Sequence, residues 1–320
     1  MWGPQPWRKI SPQGGFTAAN LTIWKDLRLM ERIPFGALEP SFSDYNTSKA
    51  VVLPLPYEAT TTFLKGTASG PECFLRASSA LEFYDEELDW EPFRAGIHTY
   101  SQAELDGVSA ETCLAKVEQA ALRVLMDGKF PLGVGGEHTV TLGLVRAAKR
   151  LHEDLTVIQL DAHADLRDQY EGSPYNHACV MRRIRELCPA LQMGIRAMDL
   201  EEMRLVREKR WPLVLDLERR RDPLWLEKAL EAVQGPVYLT LDLDAMDPAL
   251  VPGVGTPEPG GFGWYEILEV LRSIFQRFQV VGADIVELCP RAGLESSSFI
   301  AAKLAYKIIG YRFCPAPLQA

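Results

Sequence analysis

A chain of 320 residues, 47% hydrophobic and 24% charged, has the composition of an ordinary globular protein. Its net charge of -9 argues against nucleic acid and anionic membranes, which need basic surfaces, and suits cationic ligands. No apolar run reaches the roughly 20 residues of a membrane span, and Arg8 and Lys9 precede no apolar segment of the kind a secretory signal carries.

Residues 1–48 show little periodicity and read as a loosely structured N-terminal arm, within which Met30 is a candidate natural start. Residues 49–320 read as a single domain. Its short apolar runs are Val51–Leu55, Phe130–Val134, Leu155–Leu160, Leu191–Ile195, Leu213–Leu215, Val237–Leu241 and Val280–Val286. They are rich in Val, Leu and Ile, as buried parallel strands are. Helical patterns fall between them at Ala110–Met126, Val140–Leu151, Ala178–Leu187, Trp225–Val233 and Trp264–Phe278, and Ser298–Ile309 follows the last run. Ser69-Gly70-Pro71-Glu72 has the form of a helix start with Ser69 as cap. This rhythm predicts an α/β domain with helices on both faces of a mostly parallel sheet, where ligands bind at the carboxyl ends of the strands. The six cysteines (Cys73, Cys113, Cys179, Cys188, Cys289 and Cys314) form no Cys-x-x-Cys pair and read as reduced thiols of a cytoplasmic protein.

Three of the runs end in residues suited to metals. Phe130–Val134 leads into Gly135-Gly136-Glu137-His138, Leu155–Leu160 into Asp161-Ala162-His163-Ala164-Asp165, and Val237–Leu241 into Asp242-Leu243-Asp244-Ala245-Met246-Asp247-Pro248. In extended backbone, alternate side chains share a face, which groups Asp161 with His163 and Asp165, and Asp242 with Asp244. One such motif alone is more often a cap or a turn. Together with His138 they bring four carboxylates and two imidazoles to one place. Four carboxylates would repel and take up protons unless divalent cations neutralise them. This donor set suits Mn²⁺, leaves Zn²⁺, Co²⁺ and Fe²⁺ open, and is too large for one ion but right for two. Two such ions would hold a bridging hydroxide at neutral pH. Asp247 reads as a turn residue, Glu137 as a supporting or structural group, and His98 and His152 as ordinary core or surface residues.

These segments resemble the signatures of the ureohydrolase family (arginases, agmatinases and relatives), and the resemblance extends through Val251–Gly261 and Gly282–Glu287. It covers roughly Val51 to the C-terminus. It implies a three-layer α/β/α fold with a mostly parallel central sheet, and a homotrimer or homohexamer. It also implies two Mn²⁺ per chain, one held by His138, Asp161, Asp165 and Asp242, the other by His163, Asp161, Asp242 and Asp244. Asp161 and Asp242 would then bridge. His177 matches the family's proton-shuttling histidine, although Ala178 follows it where many relatives have Gly; Glu137 stands where many have Asp.

The expected chemistry is hydrolysis of a guanidinium group to urea by the metal-bridging hydroxide. Asp165 would orient the hydroxide, Glu287 would accept paired guanidinium hydrogen bonds, and His177 would protonate the leaving amine. The loop Leu166–Asn176 lacks the Asn-containing and Ser-Gly-Asn features with which arginases hold an amino-acid end; its Asp168 and Glu171 instead suit an amine. Agmatine, giving putrescine, is therefore the first expectation and aminopropylagmatine, giving spermidine, the second. Arginine and guanidinobutyrate rank lower. A zinc deacetylase-like amidohydrolase and an inactive binding subunit are the readings outside this class; the complete ligand set argues against both.

Overall fold

A computed structural model describes residues 34–315. The expectations for residues 1–33, including a start at Met30, lie outside the described residues. The remaining part of the expected arm, 34–48, is not loose. Phe35 is buried, with its ring centroid 5.6 Å from that of Phe74 and 6.4 Å from that of Tyr306. Its backbone N–H also donates to Thr99 Oγ1. Lacking periodicity, this segment is held by aromatic anchors, since Phe42 also meets Phe93 with centroids 4.8 Å apart; truncating Phe35 to Ala would cost about 3–5 kcal/mol.

The strands are β1 (Ala50–Leu55), β2 (Ile97–Thr99), β3 (Phe130–Gly135), β4 (Thr156–Leu160), β5 (Ala190–Ile195), β6 (Leu213–Leu215), β7 (Val237–Asp242) and β8 (Val280–Val286). They form one parallel sheet in the order β2-β1-β3-β8-β7-β4-β5-β6. The helices are α1 (Pro40–Ser43), α2 (Gly70–Ser78), α3 (Ala110–Met126), α4 (Thr141–Leu151), α5 (Val180–Arg185), α6 (Leu200–Lys209), α7 (Asp216–Arg219), α8 (Trp225–Leu230), α9 (Trp264–Arg277) and α10 (Glu295–Phe313).

Alternation along β4 divides the core. Ile158 and Leu160 pack in one cluster with residues of α9 and α10, while Val157 packs in the other with residues of α3, α4 and α5. The result is the expected three-layer α/β/α arrangement. Four elements lack a legible period, namely β2, α6 and the four-residue helices α1 and α7. Strand β2 is three residues long, and α6 is largely polar, although Asp199 and Glu202 make the capping box that marks its start. Ser69, expected to cap α2, makes no side-chain cap bond, because it already has helical angles as the last residue of the 3₁₀ turn Thr67–Ser69.

The strand order matters most for the site. The four adjacent central strands β3, β8, β7 and β4 deliver His138, Glu287, Asp242 and Asp161 to the same carboxyl edge. At the β3 exit the chain passes so close to Tyr57 that a β-carbon on Gly136 would lie 2.1 Å from the Tyr57 carbonyl oxygen. Only glycine fits there.

Candidate active site

The six expected ligands converge, though by tight turns rather than by simple strand alternation. Strand β4 ends at Leu160, and Asp161 turns the chain by accepting the His163 N–H at 2.6 Å on Oδ1. Asp242, the last residue of β7, likewise accepts the Asp244 N–H at 2.9 Å. Asp165 then takes a left-handed backbone angle, φ 54°. Such angles in non-glycine residues are strained and concentrate at functional sites.

Around His138 Nδ1 lie Asp161 Oδ2 at 3.1 Å, Asp165 Oδ2 at 3.1 Å and Asp242 Oδ2 at 3.4 Å. Around His163 Nδ1 lie Asp244 Oδ2 at 2.9 Å and Asp161 Oδ1 at 3.7 Å. The two groups, His138–Asp161–Asp242 and Asp161–His163–Asp244, thus share Asp161, one oxygen facing each imidazole. Asp242 belongs to the first group by its Oδ2 and touches the second through the Asp244 N–H that its Oδ1 accepts.

The electrostatics call for cations. Burial, together with the charges of Asp244 and Asp161, pushes the Asp242 carboxyl well above its usual range. Burial and the Asp161 charge push Asp165 up to about 7. At His138, burial opposes the charged form, yet the surrounding carboxylates of Asp161, Asp165 and Asp242 outweigh it and hold the pKa well above normal. These groups are competing for protons that divalent ions would replace.

A direct test of fit is the His138 tautomer. Thr240 donates its hydroxyl proton to Asp284 at 2.7 Å, so its oxygen must accept from His138 Nε2, 3.0 Å away. In the neutral ring Nδ1 therefore carries a lone pair. It is buried, surrounded by carboxylate oxygens and without a hydrogen-bond partner. A buried nitrogen so placed fits a metal ligand.

A polar row beneath the site was missed in the sequence. Gln192, Gln159, Thr240 and Asp284 stand in register on adjacent strands β5, β4, β7 and β8. Gln159 donates to Asp161 Oδ2 at 2.6 Å and accepts from Gln192 Nε2 at 2.6 Å. Asp284 also accepts the Tyr238 hydroxyl, and burial pushes its carboxyl up to about 6. The signal was there: each is a polar residue inside an apolar run. Arg196 was also missed. Its Nη2 donates to the carbonyls of Asp244 and Glu258 at 2.7 and 3.0 Å, fixing one expected ligand against the loop carrying Thr256.

Glu287 sits at the end of β8 with φ 63° and is buried; its Oε1 accepts the His138 N–H at 2.6 Å. Burial and the Glu137 charge hold its carboxyl well above its usual range. Glu137 is fully buried and accepts from Ala59 N and Thr60 N, each at 2.7 Å, and from Thr60 Oγ1 at 2.8 Å. It is a strut for the loop facing His177, whose Nδ1 lies 3.0 Å from the same Thr60 hydroxyl. Burial lowers the His177 pKa, against the raising influence of Glu137.

In the loop after the third aspartate, Asp168 does not stand free for a substrate: Arg183 pairs with it at 2.5 Å and Arg182 lies 3.8 Å away. Glu171 occupies the tight turn between Tyr170 and Ser173, and its charge is felt at His177. Tyr170 meets the His177 ring edge-on with centroids 6.5 Å apart.

A parallel α/β/α sheet with this imidazole–carboxylate cluster at its carboxyl edge is the arrangement of the ureohydrolases. The sequence profile of the Arginase family matches residues 48–310, and the chain belongs to that family. An N(1)-aminopropylagmatine ureohydrolase from Synechocystis sp. is 45% identical over 85% of this chain and 91% of its own length. An agmatinase from Bacillus anthracis is 35% identical over 78% and 86%. The solved agmatine ureohydrolase of Thermoplasma volcanium superposes with a TM-score of 0.78 at 28% identity, covering 91% of this chain and 97% of that one. The chain is thus a ureohydrolase, cleaving C–N bonds of amidines. Among the described residues, no helix is long and apolar enough to cross a membrane.

Proposed function

We propose that this protein hydrolyses N(1)-aminopropylagmatine to spermidine and urea, with agmatine, which would give putrescine, as the second substrate. The order reverses the expectation from sequence. The observation that carries it is the 45% identity to an N(1)-aminopropylagmatine ureohydrolase, against 35% to an agmatinase. Both relatives support the same chemistry; they differ in the distal end of the substrate.

His138, Asp161, Asp165 and Asp242 would hold one Mn²⁺ and His163, Asp161, Asp242 and Asp244 the other. Such a pair of ions supplies hydroxide at neutral pH and neutralises the carboxylates. The protein's own groups do the rest. Glu287, fixed by the His138 N–H, accepts hydrogen bonds from the guanidinium and favours localised charge as its carbon becomes tetrahedral. Asp165 accepts a hydrogen bond from the attacking oxygen and orients it. The bond from carbon to the substituted nitrogen breaks as that nitrogen gains two protons, one from the attacking hydroxyl by way of Asp165 and one from His177, and urea and a protonated amine leave. Water is the only co-reactant, and charge is conserved. The cysteines, all free, suit a cytoplasmic setting, and a homotrimer or homohexamer is the assembly we expect.

The test is urea release, with Mn²⁺ added, from aminopropylagmatine, agmatine, arginine and guanidinobutyrate. The highest kcat/KM should fall on aminopropylagmatine. A clear preference for agmatine restores the other order, and no urea from any of them rejects the reading.

A further inference from the structure

We propose that Thr60, backed by Glu137, is a positioning residue that fixes the tautomer of His177, so that Nε2 is the nitrogen that exchanges the proton with substrate. The inference rests on the ureohydrolase reading above and deepens it.

The argument counts protons. The Thr60 hydroxyl has one hydrogen and two lone pairs. Its oxygen lies 2.8 Å from Glu137 Oε1, 3.1 Å from the backbone nitrogen of His177 and 3.0 Å from His177 Nδ1. The carboxylate oxygen only accepts, so the hydroxyl proton goes to Glu137. The backbone N–H of His177 only donates, so it fills one lone pair. The remaining lone pair faces Nδ1, which must then carry a hydrogen. In the neutral ring this leaves Nε2 bare.

Nor is the orientation of Glu137 free. Ala59 N and Thr60 N hold its Oε2 at 2.7 Å each, and Thr139 Oγ1 donates to its Oε1 at 2.6 Å. The sequence Glu137–Thr60–His177 is therefore a built relay spanning residues 117 positions apart. The charged groups acting on His177 are Glu137 and Glu171, which favour its protonated form, and His163 and His138, which oppose it. Tyr170 supplies only a ring edge. An acceptor at Nδ1 favours the imidazolium, so losing the hydroxyl removes support for the form that donates.

Two measurements test this on the full chain. The first is nitrogen NMR of the imidazoles in the zinc-loaded, diamagnetic protein, with His177 assigned by its loss in His177→Ala. We expect the Nδ1–H tautomer, and its loss in Thr60→Val; an Nε2–H tautomer in the parent protein overturns the proposal whatever the substrate proves to be. The second is kinetic. Thr60→Val should lower kcat roughly tenfold to a hundredfold, with KM, metal content and melting temperature close to the parent. The limb of the pH profile set by His177 should move to lower pH. Thr60→Ser, which keeps the hydroxyl, should retain most of the rate, and Thr60→Val should add little in a His177→Ala background. Additive losses, or equal losses in Ser and Val, overturn the relay, as would loss of fold or metal in Thr60→Val, which would make Thr60 a structural strut. A parent protein that shows the expected tautomer but releases no urea would instead reject the ureohydrolase substrate reading.

Discussion

Glu287 Oε1 accepts the backbone N–H of His138 at 2.6 Å, so the group expected to bind the guanidinium is anchored on the residue expected to bind metal. The arrangement separates two roles that mutation usually mixes. A Glu287→Gln side chain can still accept that N–H through its amide oxygen, leaving His138 where it is, but cannot pair with a cation as a carboxylate does.

Glu287→Gln should therefore keep both metal ions while kcat/KM falls roughly thirtyfold or more, the worth of about 2 kcal/mol for a hydrogen bond to a charged group. Metal analysis beside steady-state kinetics decides it. Loss of metal in this variant would move Glu287 into the ligand set.

Asp161 faces His138 with one oxygen and His163 with the other, so Asp161→Asn should weaken both metal positions and lower activity by orders of magnitude. Gln159 tests the support beneath it. Gln159→Leu removes the amide that donates to Asp161 Oδ2 at 2.6 Å, without touching any expected ligand. Its Mn²⁺ affinity should fall by about tenfold to a hundredfold, as is usual when a ligand loses its orienting partner. Unchanged Mn²⁺ titrations would show that Asp161 needs no such partner.

The sequence shows the ligands and hides much of what holds them. Asp161, His163, Asp165, Asp242 and Asp244 are legible because chemically unusual residues follow apolar runs at short spacing, a local pattern. Gln159, Gln192, Thr240 and Asp284 are each visible as polar residues within such runs. Their alignment is not, since it depends on β4 lying between β7 and β5, an order no local signal encodes. Thr60 and His177 meet across 117 positions for the same reason. The charge of Asp168 is legible from one residue, while its pairing depends on Arg183, 15 positions on and across a loop. Residues 34–48 show no legible pattern because burial there rests on aromatic contacts, Phe35 with Phe74 and Tyr306 and Phe42 with Phe93, and not on periodicity.

Metal affinity should weaken in acid. Burial and the Asp161 charge push Asp165 up to about 7, so in the metal-free protein it is increasingly protonated as the pH falls through that value. A cation must then displace a proton, at a cost of about 1.4 kcal/mol, or a factor of about ten, per pH unit below 7 for this one group. His138 and His163, whose pKa values are also raised, act in the same direction. Mn²⁺ titrations between pH 5 and pH 8 should show affinity falling at least a hundredfold from pH 7 to pH 5. A flat profile would exclude proton displacement at these ligands.

The distal end of the substrate should be read as an amine. With Asp168 engaged by Arg183, and Arg167 facing Asp199 at 3.2 Å, Glu171 is left as the acidic group whose charge reaches the catalytic side of the loop. An α-carboxylate there meets a like charge and no dedicated donor, so its desolvation goes uncompensated. An ammonium meets a partner, though an exposed and screened one, which limits that pairing to a modest factor. Rejection of the carboxylate is the larger effect. Aminopropylagmatine and agmatine should exceed arginine in kcat/KM by roughly a hundredfold. Glu171→Gln should narrow that ratio by about threefold to tenfold, mainly through KM for the amines, without changing metal content. Comparable kcat/KM for arginine and the amines in the parent protein would reject this reading of the loop and leave the metal chemistry untouched. A ratio that survives Glu171→Gln intact would place the discrimination elsewhere in the mouth of the site.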